Sequence, residues 1–384
     1  MYAQGQNGLL STYREGWRNR NPLGIAISLA LILFYLILYF ETNLGITWLT
    51  DLAIAMKLGG AAYENDGQTW SAKWYLYGFL YCIAMVGGGI YYLRRHGNSR
   101  YNKFRIAVNI FVQILMGFTL PFVMPFFGGK EFYFSYFWPL KFDYFYPQTL
   151  ADAPLYLAIY TLAGSILAVP ILAVFFGKRW YCSWVCGCGG LANTFGDPWR
   201  HLTSKSTGAW RFEQITVHSV MFIALVATAL IGIDYIIGDN ESTFHIIVSG
   251  KEWDDFSVKY MYGLVVGSIL AGVVGTGFYP LFGPRVWCRN FCPMAALLGW
   301  FQKLGRFRIR VKPDMCISCG NCSTYCEMGI DVRAYAQNNE SFTRAACVGC
   351  GMCAHMCPRG VLKLENGWKL QDDKKRQHLP VVNF

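Results

Sequence analysis

The sequence predicts an α-helical polytopic membrane protein with about six transmembrane helices and a small C-terminal α+β domain. Three observations lead there. Long apolar segments recur, the loops between them alternate in charge, and eight cysteines near the C-terminus repeat one spacing. Composition agrees: charged residues make up 15% of the chain, against roughly 25% in ordinary globular proteins. Aromatics reach 17% and mean hydropathy is +0.27. The net charge of +11 would suggest nucleic acid in a soluble protein. Here most of it lies in short loops beside apolar segments, where membrane topology explains it and no nucleic-acid partner is needed.

Crossing a bilayer core of about 30 Å takes about 20 residues. Segments of that kind are expected near 22–40, 74–93, 104–127, 155–176, 215–237 and 260–282. The first runs into Tyr39, Phe40 and Glu41 without a small-residue cleavage pattern, so it reads as a retained helix. Arg14, Arg18 and Arg20 precede it, whereas the next loop carries Glu41, Asp51, Glu64 and Asp66. Arg94, Arg95, Arg100, Lys103 and Arg105 follow the second segment, and the third loop holds only Lys130 and Lys141. Lys178, Arg179, Arg200, Lys205 and Arg211 follow the fourth, and Asp239, Glu241, Glu252, Asp254 and Asp255 follow the fifth. After the sixth come Arg285, Arg289, Lys303, Arg306, Arg308 and Arg310. Basic loops stay on the cytoplasmic side, so a multi-pass protein of the bacterial inner membrane with both termini in the cytoplasm is expected. The organisation is then a cytoplasmic segment 1–21, a transmembrane domain 22–304, a C-terminal domain 305–368, and a solvated tail 369–384 that includes Asp372, Asp373, Lys374, Lys375 and Arg376.

The chain has fourteen cysteines. In a small secreted protein they would suggest disulfides, but here most fall into tight clusters in a long chain, which points to metal thiolates. Two runs match: Cys316-x2-Cys319-x2-Cys322-x3-Cys326, and Cys347-x2-Cys350-x2-Cys353-x3-Cys357-Pro358. This is the bacterial two-cluster ferredoxin spacing, in which the fourth cysteine of each run serves the other cluster. Cluster A is therefore assigned to Cys316, Cys319, Cys322 and Cys357, and cluster B to Cys347, Cys350, Cys353 and Cys326. Zinc sites are the competing reading, but zinc ligands usually pair as CxxC and not as triplets. Two [4Fe–4S] clusters and one-electron transfer are expected. The insert 327–346 should form a short helix plus loop. So small a domain has little core, and ligation should supply most of its folding free energy.

A repeat lies inside the membrane part. Phe176-Gly177-Lys178-Arg179-Trp180-Tyr181-Cys182-Ser183-Trp184-Val185-Cys186-Gly187 aligns without gaps on Phe282-Gly283-Pro284-Arg285-Val286-Trp287-Cys288-Arg289-Asn290-Phe291-Cys292-Pro293. The copies follow the fourth and sixth segments, so both emerge on one side of the membrane, and parallel repeats tend to build a site between them. Cysteines four apart share a helix face, so each pair can present both sulfurs. Cys182, Cys186, Cys288 and Cys292 could then hold a third iron–sulfur cluster or another metal, with the arginines offsetting its charge. A redox-active or copper-handling thiol set and plain helix packing are the other readings. Cys188 is an alternative ligand, whereas Cys82 reads as an inert thiol.

This pattern resembles the membrane-bound polyferredoxins of the NapH/NosR/CcoG type, whose signature is several transmembrane helices, two CxxxCP motifs at helix ends, and a following double-ferredoxin domain. The resemblance covers about 155–368, on Cys288 to Pro293 and the two runs above. It implies quinol oxidation feeding periplasmic reductases, electron supply to maturation of a copper enzyme, or copper reduction during oxidase assembly. Three features depart from the family. Gly187 follows the first CxxxC where proline is usual, and Glu327 follows the first run where proline is usual. Only a short loop separates the first two helices, which leaves no large flavin-binding domain there.

Other segments are less specific. The aromatic stretch 131–147 reads as an interfacial belt, with a quinone pocket or partner-docking surface as the alternative. His218, near one end of the fifth helix, lacks a second transmembrane histidine for haem ligation and is read as a packing or quinone-bonding group. Asp234, near the other end, is either a proton relay or a cap. His96, His201, His245 and His355 have no evident partners. Gly87-Gly88-Gly89 suggests close helix packing. No P-loop, dinucleotide fingerprint or CxxCH haem motif occurs. The expected role is electron relay between a quinone pool or cytoplasmic donor and a membrane or periplasmic redox partner, as a subunit of a respiratory complex. The alternative is a copper-reducing accessory protein for metalloenzyme maturation.

Overall fold

The computed structural model describes residues 22–41, 44–58, 69–124, 132–238, 242–250 and 256–367. The segment 1–21, the tail 369–384, and the loop charges Glu64, Asp66, Lys130, Asp239, Glu241, Glu252, Asp254 and Asp255 lie outside the described residues. Among the described residues, six helices are long and apolar enough to cross a membrane: Pro22–Phe40, Ala72–His96, Arg100–Val123, Leu155–Phe176, Thr207–Ile237 and Val258–Gly277, spans one to six. Span five starts earlier than its apolar pattern, because Ser206 caps it, accepting from the Ala209 amide at 3.1 Å. Span six ends earlier, because Pro280 opens a separate turn, Tyr279–Phe282, and proline cannot continue the preceding hydrogen-bond ladder. The expected end of span three, at 127, falls outside the described residues.

Spans three and four each contain a π-helical stretch, Gln113–Thr119 and Gly164–Ala168, followed at once by a helix with proline in its first turn. Pro121 and Pro170 lack the N–H that an α-turn would use, and the widened turn absorbs the mismatch. Close packing follows the small residues. A Cβ at Gly88 would strike the Phe195 backbone, and one at Gly89 the Ile110 side chain, as the triple glycine suggested.

After span six the chain forms a helix, Pro293–Leu304, and passes through Gly305 into strand β1 (Phe307–Val311). β1 pairs antiparallel with β2 (Leu362–Asn366), Val311 opposite Leu362, so the two-stranded sheet closes round both cysteine runs. Between the runs lies the short helix Val332–Gln337. The core of this domain is continuous with that of the bundle. Phe307, Ile309, Val311 and Val348 belong to one buried cluster with Val169, Ala173, Met294 and Leu298 of the helices. The domain has little core of its own and shares the bundle's.

Candidate metal centres

Two cavities of similar size flank the helix Val332–Gln337. Cys316, Cys319, Cys322 and Cys357 line the first, and Cys326, Cys347, Cys350 and Cys353 the second. The fourth cysteine of each run thus crosses to the other triplet. The two halves fold alike. Gly320 and Gly351 both take positive φ (79° and 78°) ahead of one-turn helices carrying Cys322 and Cys353. The Ile330 amide donates to Cys326 Sγ and the Val361 amide to Cys357 Sγ, each at 3.4 Å.

The donor sets fit a cubane better than a single ion. Among the described residues, no three His, Cys, Asp or Glu side chains gather closely enough to hold one metal ion. A zinc–thiolate bond is about 2.3 Å, so four sulfurs would have to converge on one point. A cubane takes one thiolate per iron and lets the sulfurs stand apart. Burial pushes the Cys322 and Cys347 thiols up to about 12 and Cys350 up to about 11, so loading must displace protons.

The membrane-side repeat is structural as well as textual. Gly177 and Gly283, aligned in sequence, take φ/ψ of 71°/175° and 93°/169°, a region almost confined to glycine. Cys186 and Cys292 are both extended, and their amides reach back five residues, to Tyr181 O at 2.8 Å and Trp287 O at 3.0 Å. This corrects the expectation that each pair sits on one helix face. Cys182 closes the short helix Arg179–Cys182 and Cys186 caps the next, while Cys288 lies in a π-helical turn and Cys292 caps Pro293–Leu304. Gly187 and Pro293 suit the first position of the new helices. All four thiols are buried in one cluster. Burial pushes Cys292 upward, and Cys288, Cys182 and Cys186 beside it add to the shift.

The copies differ in their cations. Arg285 is fully buried, with Nη1 at 3.6 Å from Cys288 Sγ. Its counterpart Arg179 turns away, bonding Phe176 O and stacking on Phe307. Lys178 stands nearer Cys182 instead. Cys188 lies against Cys186, and Cys82 is half-buried in span two.

The second cavity sits directly on this repeat. Ser183 Oγ donates to Val348 O at 2.6 Å, Gln302 Nε2 to Cys347 O at 3.0 Å, and Tyr101 OH to Gly349 O at 2.8 Å. Glu327, noticed in sequence only as a missing proline, lines that cavity and is fully buried. Its carboxylate meets Arg285 Nη2 at 2.9 Å and Arg200 Nη1 at 2.6 Å. Burial favours its protonated form, but Arg200, Arg285 and Arg105 hold its carboxyl below the usual range. Arg105, Arg200 and Arg285, which in sequence read as topology-setting loop charges, are buried.

Other expectations change too. The aromatic segment is no simple belt: Phe132, Phe137, Phe142 and Tyr146 are buried, and Tyr136 lies within electrostatic reach of Cys188 and Cys186. Tyr81 OH donates to Gly187 O at 2.9 Å, and the Tyr35 and Tyr77 hydroxyls meet at 3.3 Å. No sequence spacing linked these tyrosines. His218 bonds Gln214 O and stacks on Trp300. Asp234 joins His245 Nδ1 at 2.9 Å and Ser249 Oγ at 2.6 Å. His96 faces Asp197 at 3.3 Å and packs edge-on to His355.

Comparison with known proteins bears on both regions. Residues 308–358 match a family described as a 4Fe–4S dicluster domain. Residues 157–205 and 265–312 match one described as a 4Fe–4S binding domain, and these stretches hold both CxxxC copies. The chain is 27% identical over 182 residues to YccM of Escherichia coli, whose name provisionally assigns it to electron transport; the match covers 46% of this chain and 48% of that one. It is 24% identical over 177 residues to the methylamine utilization ferredoxin-type protein MauN of Methylobacillus flagellatus, covering 44% and 55%. An uncharacterized protein of Methanocaldococcus jannaschii is also 24% identical, over 45% and 60%. The chain thus spans about half the length of the curated relatives it matches. No solved structure matches it. The matched stretches are thus similar to 4Fe–4S binding domains, and among the described residues six helices could cross a membrane.

Proposed function

We propose that the chain relays single electrons between its exposed C-terminal end and a centre at the mouth of the helix bundle. Cys316, Cys319, Cys322 and Cys357 would hold one [4Fe–4S] cluster, Cys326, Cys347, Cys350 and Cys353 a second, and Cys182, Cys186, Cys288 and Cys292 a third. Bound there, the clusters supply one-electron transfer at potentials that the surrounding charges and hydrogen bonds set. One observation carries this reading: Ser183, inside the first CxxxC, hydrogen-bonds Val348, which lines the second cavity. The three thiol sets therefore form a series. Its outer end is open, since Cys319 is exposed and Ile317 beside it is 55% exposed, a contact point for a soluble redox partner.

Exposed apolar side chains such as Leu29, Ile83, Ile166 and Ile236 on the spans suit a lipid partner. The loop charges support an inner membrane with both termini cytoplasmic. At the bundle end the reading extends to a quinone or a membrane or periplasmic redox subunit of a respiratory complex, because Tyr136 and Tyr81 bring hydroxyls beside Cys186 to Cys188. Iron and acid-labile sulfide counting on anaerobically purified protein tests the series. About twelve irons per chain supports three clusters, and about eight leaves the CxxxC thiols without one.

Copper handling is the second reading, favoured by the contact between Cys186 and Cys188, since soft thiol pairs suit Cu(I). A Cys182→Ser/Cys288→Ser double variant separates the two. Loss of copper reduction with an unchanged iron count supports copper handling, whereas loss of about four irons supports the third cluster.

A further inference from the structure

Among the described residues, Arg105, Arg200 and Arg285 head the largest fully buried side chains. Two of them are matched. Arg200 meets Glu327 and Asp197, Arg285 meets Glu327, and Asp197 also faces His96 at 3.3 Å and Arg95 at 4.0 Å. Arg105 is not. Its Nη2 donates to Tyr92 OH at 3.0 Å, but its Nε and Nη1 have no hydrogen-bond partner and, among the described residues, it forms no ion pair. A buried guanidinium left with three idle N–H groups on Nε and Nη1 is costly, so an acceptor or a negative charge is expected near it.

The neighbours say what that acceptor is. Arg105 sits at the bundle end of span three, beside Ile106, which packs with Tyr92, Met352 and Cys350. Tyr92 OH donates to Met352 Sδ at 3.2 Å, one residue from Cys353. Cys350 feels Glu327, Arg200 and Arg105 together. Arg105, Arg200 and Arg285, with Arg95 at the edge, outnumber the carboxylates of Glu327 and Asp197, so positive charge is in excess on the side of the second cavity that faces the bundle. Arg333 and Arg359 line the first cavity, but Arg359 is exposed and its field is screened by water.

We infer that Arg105 is the counter-charge of the cluster on Cys326, Cys347, Cys350 and Cys353, holding its reduction potential up. This rests on the cluster reading above. Reduction adds one negative charge, and a buried cation next to it stabilises the reduced form. Arg105 is then a positioning and tuning residue from the membrane part acting on a centre in the C-terminal domain.

The test is an EPR-monitored redox titration of the full-length protein, with iron and sulfide counted first. A wild-type sample without iron removes the cluster reading itself, and with it this inference. In loaded protein, Arg105→Met and Arg105→Gln should each lower one midpoint potential by about tenfold in the reduction equilibrium, ~59 mV for one electron, and leave the others in place. Arg105→Lys, which keeps the charge, should recover most of that shift. If both neutral variants load normally with every potential unmoved, or with all moved together, the assignment is overturned. Should the neutral variants fail to load iron, loading restored by Arg105→Lys supports the need for a cation there, and failure of all three variants counts against it.

Discussion

The two cysteine runs have the same ligand spacing and nearly the same backbone, yet their surroundings differ. The cavity of Cys316, Cys319, Cys322 and Cys357 opens beside exposed Cys319 and Ile317. The cavity of Cys326, Cys347, Cys350 and Cys353 is bedded on Ser183, Gln302, Tyr101 and the buried pairs of Glu327. Ligand pattern sets what can bind, and the bed sets what the bound group connects to. One cavity opens outward and the other rests on the bundle.

The largest expected effect that would break this contrast comes from the ligands. Cys319→Ser and Cys350→Ser should each cost about four irons. Only Cys350→Ser should also weaken amide-exchange protection around Gly349, where Tyr101 docks; equal loss in both variants would erase the distinction. Next is Glu327→Ala. Breaking a buried pair leaves Arg200 and Arg285 uncompensated, an expected loss of about 3–5 kcal/mol, read from denaturant unfolding in detergent. Ser183→Ala should cost about 1–3 kcal/mol by stranding the Val348 carbonyl, with iron content retained and the exchange protection of Val348 reduced. The smallest effect belongs to the exposed end of the sheet. Glu365 bridges Arg308 and Arg310 at 3.1 Å each, and Glu365→Gln should change stability by about 0–1 kcal/mol. Slight burial favours protonation, but the two arginines hold its carboxyl below the usual range. Its contribution is therefore present above the ordinary glutamate pKa and lost as pH falls through the lowered value. A Glu365→Gln variant should accordingly show a flatter acid limb in stability against pH.

The six spans were legible because lipid-facing length and apolar content are local properties, as in Pro22–Phe40. The cysteine grouping was legible because each triplet wraps its own cavity within a few residues. The bed was not. Arg105, Arg200 and Arg285 come from three separate stretches and converge on Glu327 only through folding, and a basic residue in a short loop reads equally well as a topology signal. The CxxxC alignment revealed the repeat and its paired glycines. It did not reveal the helix break inside each copy, because a four-residue spacing fits an unbroken turn equally well. The tyrosines near Cys188 belong to spans one and two and the segment before span four, and no period connects them.

Helix Pro293–Leu304 passes into β1 with only Gly305 and Arg306 between them. A Cβ on Gly305 would meet Val174 O at 2.6 Å, and the Arg306 amide is already bonded to that carbonyl at 2.9 Å. The junction has neither slack nor a pivot. A domain clamped this way does not hinge on the bundle, and the spacing between its two thiol pockets and the bundle is fixed by the fold.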